Sequence, residues 1–168
     1  MLKKHIFLEN ELVITNPMGG FSMLEHMIAH HCGPALAGIK PANIVALYKS
    51  QIPDVYEKIE KLNSELNCKD IYIEIICECE KRVLTMVYRK KILENQLSDA
   101  KMKKFLASFG YPKAGKTSEY IEFLKMRMKD SGFPHEIGVF LGYPLHDIYG
   151  FINHPDEGCL LTGEWKVY

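Results

Sequence analysis

The sequence predicts an α+β domain in which a small antiparallel sheet packs with a cluster of short helices, and three observations lead there. Residues 71–79 alternate Ile71, Ile73, Ile75, Cys77 and Cys79 with Tyr72, Glu74, Ile76 and Glu78, the period of two that marks a half-buried strand. Residues 82–89 continue the β-rich character with Val83, Thr85 and Val87 after a Glu80-Lys81 turn, so the two segments form an antiparallel hairpin. From Lys91 to about Asn153 the apolar residues change to helical spacing, in segments two or three turns long.

Taken in order, residues 1–20 form an N-terminal extension ending in the breaker Asn16-Pro17-Met18-Gly19-Gly20, and residues 21–168 form the domain. Ser22 is placed to cap a helix carrying Met23, Leu24, Met27 and Ile28, which Cys32-Gly33-Pro34 should end. Ala42 to Tyr48 is short and apolar, as a buried strand is, although a helix with Pro41 at its first position also satisfies these residues, and Pro53 to Leu66 places Val55, Ile59, Leu62 and Leu66 on one helical face. The strand and helix together make a βαβ-like entry into the hairpin. Helices follow near 91–97, 99–109 (with Ser98 as cap), 118–129, 134–141 and 145–152. The tripeptide Gly-Tyr-Pro closes two of them, at Gly110 and at Gly142. Cys159 to Tyr168 reads as a final strand, interrupted at Gly163, that adds to the hairpin sheet.

Composition narrows the function classes. The chain has 168 residues, with 21 Lys plus Arg against 21 Asp plus Glu, and 47% of its residues are hydrophobic. A chain of this size buries roughly 70% of its unfolded surface and needs no disulfide or metal staple. Zero net charge supplies no long-range field for phosphate backbones, so no nucleic-acid partner is expected. No apolar run approaches a bilayer's span and Met1 to Ile14 lacks a signal-peptide core, so a cytoplasmic protein with no membrane association is expected. Its five cysteines are an odd number without a pairing pattern and read as free thiols.

Four groups of residues suggest chemistry. Gly110-Tyr-Pro-Lys-Ala-Gly115-Lys116-Thr117 matches the phosphate-loop expression, yet a helix rather than a strand leads into it and Pro112 removes an amide, so no nucleotide is expected there. His26 and His30 share a helix face at metal-chelating spacing, with His31 and Cys32 next to them and Met23 and Met27 nearby, a donor set that suits zinc, iron or haem. The alternative is that these histidines only cap the helix end. Cys32, placed at a helix-to-loop junction outside any apolar stripe, is the candidate nucleophile; His135 is its candidate base, with Glu136 or Asp147 as orienting acid. Against this, a helix C-terminus raises rather than lowers a thiol pKa, and Pro134-His135-Glu136 also fits an ordinary helix start. Cys77, Cys79, Cys68 and Cys159 read as small core residues. Trp165, with Lys166 and Tyr168, offers a stacking platform for a planar cofactor or, more simply, core aromatics.

Three strings resemble a bacterial family known only as domain of unknown function 3793, mostly from anaerobic Firmicutes: His31 to Pro41, Phe133 to Pro144, and Gly163 to Tyr168. The resemblance covers about Ser22 to Tyr168 and implies no established reaction. Its pattern includes His31, Cys32, Gly38, Lys40, Pro41, Tyr88 and Arg89, then His135, Glu136, Gly142, Tyr143, Pro144, Asp147, Gly150 and Phe151, then Trp165, Lys166 and Tyr168. Gly33 departs from it, since alanine is usual there, and the phosphate-loop residues lie outside it. Related chains tend to continue beyond Tyr168 into another helix, which implies an apolar patch suited to a homo-oligomer or partner interface. The resemblance further implies iron, haem or redox physiology with a redox or iron-handling partner. The expectation is therefore an accessory ligand-binding protein whose site gathers His31, Cys32, Lys40, Arg89, His135, Glu136, Tyr143, Asp147, Trp165 and Lys166. A Cys-His hydrolase or transferase and a pure interaction module are the alternatives.

Overall fold

The structure is a computed structural model that describes residues 21–130, 133–154, 158–162 and 166–167. Helix α1 (Met23–Leu36) begins with a full capping box: Ser22 Oγ accepts from the Glu25 amide and the Glu25 carboxylate accepts from the Ser22 amide. It then passes through Gly33 and Pro34, where the sequence signals a stop. The helix ends instead on Gly38, whose φ of 76° completes a Schellman closure in which the Ile39 amide donates to Pro34 O and the Gly38 amide to Ala35 O. Proline lacks only the hydrogen bond one turn back, and in a last turn held this firmly that loss is tolerated.

Strand β1 (Ala42–Tyr48) leads to helix α2 (Val55–Leu66), then the hairpin of β2 (Ile71–Glu78) and β3 (Arg82–Arg89). The sheet order is β1-β3-β2, both pairs antiparallel. β1 and β2 are therefore parallel to each other with β3 between them, so the βαβ-like entry is a unit split by the later strand. The third strand of the sheet is β1. The C-terminal residues instead form a separate ribbon of β4 (Leu161–Thr162) and β5 (Lys166–Val167), which corrects the expected addition to the hairpin.

The register of β2 shifts between Ile75 and Cys77. Such a bulge turns the following side chains over. Ile71, Ile73 and Ile75 face one layer, while Ile76 and Cys77 pack with the other. The shared face expected for Cys77 and the three isoleucines stops at this bulge, and Cys79 and Cys68 are exposed rather than core residues.

The sheet is covered on both faces. Leu24, Ile28 and Cys32 of α1 and Val55 and Ile59 of α2 close over Val45, Leu47, Ile73 and Val87. The opposite face, with Leu84, Met86 and Tyr88, is covered by α3 (Lys90–Ser98), α4 (Ala100–Ser108), α5 (Thr117–Asp130), the single turn α6 (Ile137–Phe140) and α7 (Leu145–Asn153). Asp99, not Ser98, caps α4, accepting from the Lys101 and Met102 amides. Asn63 of α2 pairs with both the amide and the carbonyl of Ile73, each at 2.8 Å, closing the free edge of β2 at that point.

Candidate functional site

A cleft of about 430 Å³ opens between α3, the start of α5 and the face of the hairpin. The volume falls within the range of small-molecule sites. β2 contributes Tyr72 and Glu74, and β3 contributes Tyr88, whose ring stacks on Tyr72 at 5.5 Å. α3 adds Lys90, Glu94, Leu97 and Ser98 along one wall, and α4 adds Lys103. The opposite wall is the first two turns of α5, from Thr117 to Glu122, with Tyr120 and Ile121 at its base.

Tyr120 is the anomaly of this wall. It is 1% exposed, and its hydroxyl oxygen is buried with no hydrogen-bond partner among the described residues. An unpaired buried hydroxyl costs about 1–3 kcal/mol. Burial, followed by the charge of Glu119, raises its pKa. Tyr88 is raised too, by burial first and then by Glu74, Tyr72 and Glu94.

The residues of the phosphate-loop match border this cleft without forming a phosphate loop. α4 precedes them where a strand would be required, and the Lys116 amide donates to Glu119 Oε2 at 2.8 Å. That carboxylate occupies the space a Cβ on Gly115 would need, so it covers the loop at the place where a phosphate loop receives its anion.

The sequence-derived candidates separate across the fold. Cys32 is fully buried in the α1–α2 layer, inside the helix rather than at its junction, and burial pushes its thiol up to about 12. An apolar stripe does claim it. His135 is half-buried with its ring edge against Phe151 at 4.9 Å, next to residues of the cluster on the opposite sheet face, and burial lowers its pKa. Glu136 is 1% exposed and bound to Arg127 Nε at 2.9 Å and to the Tyr111 hydroxyl at 3.5 Å. Asp147 is buried 3.2 Å from His146. His26 stacks on His30 at 6.4 Å, and His31 meets His30 edge-on at 4.8 Å. No group of three or more metal-ligating side chains occurs among the described residues. Trp165 and Tyr168 lie outside the described residues, as does the side chain of Lys166.

A family model described as a protein of unknown function (DUF3793) matches residues 28–168. The chain belongs to this family. No curated protein and no solved structure matches it. Among the described residues of this DUF3793 protein, no helix is long and apolar enough to cross a membrane.

Much of the string pattern of the DUF3793 chain has an architectural account. Arg89 donates to the carbonyls of Ala35, Leu36 and Lys69, capping the C-terminus of α1 and tying it to the entry of β2. Gly38 lies against the Arg89 side chain. Pro41 packs on Gly142, where a Cβ would stand 2.5 Å from the proline Cδ and where φ is 77°. Lys40 sits 4.3 Å above the Tyr143 ring. These residues form one joint between the exit of α1 and the turn from α6 to α7. Sequence reasoning missed the cleft itself, and the available signal was the second face of β2, where Tyr72 and Glu74 are aromatic and charged although helices cover that side of the sheet.

Proposed function

We propose that this DUF3793 protein is a non-catalytic small-molecule-binding protein whose site is the cleft between α3, α5 and the hairpin. The observation that carries the reading is the cleft itself, about 430 Å³ in volume and lined by stacked tyrosines and charged side chains from five elements. The two stacked tyrosines supply an apolar floor, and the surrounding lysines and glutamates supply orientation.

Two neighbouring readings have weaker support. Haem or iron at His31 and Cys32 requires a ligand sulfur in reach, and Cys32 is enclosed in the α1–α2 layer. A Cys32-His135 enzyme requires a thiolate, and burial of Cys32 opposes one. The binding reading is tested by titrating the ¹⁵N-labelled full chain with a fragment library. Hits should perturb the amides of Ser98, Thr117, Ser118 and Tyr120 together, and Lys103→Ala should weaken them. Shifts scattered over the surface, or none, would overturn the proposal.

A further inference from the structure

We propose that residues 11–15, Glu-Leu-Val-Ile-Thr, add a parallel strand to the outer edge of β1, with α1 as the connecting crossover. This edge lies away from the cleft, whose sheet residues belong to β2 and β3. The two edges of the sheet are built differently. β2 carries Glu74, Glu78 and a bulge, and Asn63 pairs with its outer backbone at Ile73. β1, Ala-Asn-Ile-Val-Ala-Leu-Tyr, has no charge and no proline, and its register with β3 is unbroken, so nothing in it discourages another strand.

The pairing with β3 fixes which backbone groups of β1 are open. The Arg89 amide donates to Pro41 O and the Lys49 amide to Lys81 O, each at 3.0 Å. Bonded residues alternate in an antiparallel pair, so Asn43, Val45 and Leu47 bond to β3, while Ala42, Ile44, Ala46 and Tyr48 turn their amides and carbonyls outward. Ala42 is fully buried, and the Tyr48 carbonyl accepts from the Gln51 and Ile52 amides, which closes the two ends. Between them, the outward backbone groups of Ile44 and Ala46 meet no partner among the described residues, and both side chains are only half-buried.

The course of α1 says what reaches this edge. The Ala35 amide donates to Asn43 Oδ1 at 3.0 Å, which fixes the C-terminal end of α1 at the start of β1. Leu24, Ile28 and Cys32 share a layer with Val45 and Leu47, so the helix lies along the strand. From Ala35 back to Met23 it covers about 18 Å, close to the length of β1, and the chain at Phe21 stands toward Tyr48. A strand parallel to β1 finishes at that same end. Residues 16–20, Asn-Pro-Met-Gly-Gly, supply a connection of ordinary length made of turn formers. Ile6-Phe7-Leu8, the other apolar run of the extension, would need a much longer one.

Handedness selects the same side. α1 and α2 cover one face of the sheet. With β1–α2–β2 crossing right-handed toward β3, a strand joined through α1 keeps that hand only on the outer side of β1. The side chains also suit the place. Leu12 and Ile14 alternate with Val13, so an apolar residue falls on each face, one under α1 and one beside Ile44 and Ala46.

Hydrogen exchange of the ¹⁵N-labelled full chain tests the added strand. The Ile44 and Ala46 amides should exchange at least tenfold more slowly in the wild type than in Val13→Pro, at rates independent of protein concentration. The Asn43 and Val45 amides, bonded to β3, should be unchanged in the variant, which also checks that its domain is folded. Nuclear Overhauser contacts should join the Val13 backbone to Ile44 and Ala46. Three results would overturn the inference: unprotected Ile44 and Ala46 amides in the wild type, protection that appears only as the 19.3 kDa chain doubles in mass, or protection that Val13→Pro leaves intact. The second would give the edge to another copy of the chain, and the third to a different segment such as residues 6–8.

Discussion

The thiols give a sharp test of the fold, because the structure reverses the order of reactivity that the sequence suggests. Burial lifts Cys32 from 9.0 to about 12. At pH 8 its thiolate fraction is then about 10⁻⁴, against about 10⁻¹ for an ordinary thiol, a thousandfold handicap. Its thiolate would be intrinsically more nucleophilic, and a Brønsted slope near 0.45 returns roughly twentyfold, leaving about fiftyfold. Where reagent reaches Cys32 only when α1 opens, the thiol is solvated and the handicap is instead the opening equilibrium, about 150-fold for an opening free energy of about 3 kcal/mol. Cys79 stands at the opposite extreme. It is exposed, and the backbone amides of Lys81 and Arg82, helped by the charges of Arg82 and Lys49, hold its pKa below the ordinary value. Iodoacetamide labelling of the native chain at pH 8, read by peptide mass spectrometry, should modify Cys79 first and Cys32 last, at least a hundredfold apart. In concentrated guanidinium the two rates should converge. Labelling of Cys32 in the folded chain at a rate near that of Cys79 would refute its burial and restore it as a nucleophile.

Other expectations follow from the same contacts. Arg127→Met leaves the buried Glu136 carboxylate without its cation; with Arg127 itself partly exposed, the loss should be about 2–4 kcal/mol by urea unfolding, and Glu136→Gln in the same background should recover part of it. Gly142→Ala should destabilise more than Gly158→Ala, because both positions have φ of 77° but only Gly142 has Pro41 in the path of a Cβ, and a difference of more than about 1 kcal/mol in chemical unfolding checks this. Tyr120→Phe should stabilise the unliganded chain by about 1 kcal/mol, since it removes a buried donor without changing the ring; a lower Tm in the variant would mean that the hydroxyl has a partner. Stability should fall as pH rises above about 9. With the Cys32 pKa raised in the fold, the unfolded chain ionises first and binds fewer protons, giving a slope of up to about 1.4 kcal/mol per pH unit between 9 and 12. Cys32→Ala should flatten that part of the profile, measured by denaturant midpoints across the range.

The hairpin, the Ser22 cap and the amphipathic helix α2 were legible because each is written in local spacing. The end of α1 was not. Gly33 and Pro34 are strong stop signals, and what overrides them is Arg89, more than fifty residues away, holding the last carbonyls of the helix. The position of β1 was open for the same reason, since only the pairing with β3 places it in the sheet. Among the candidate site residues, Lys40, Gly142, Tyr143 and Arg89 stood out as strings, but strings do not separate a joint from a pocket; the contact of Pro41 with Gly142 does. The cleft left almost no mark in the sequence because its walls come from five elements, with single residues such as Lys103 and Glu94 that look like ordinary surface charges until the helices are placed.

The most direct test of the central claim is native mass spectrometry of the full chain after incubation with a deproteinised bacterial metabolite extract and rapid desalting. The account predicts one small-molecule adduct per chain, diminished at least tenfold in Lys103→Ala and in Glu94→Gln while both variants keep the wild-type charge-state distribution. Absence of any retained adduct, or an adduct that both variants hold as well as the wild type, would contradict the assignment of the cleft as the site.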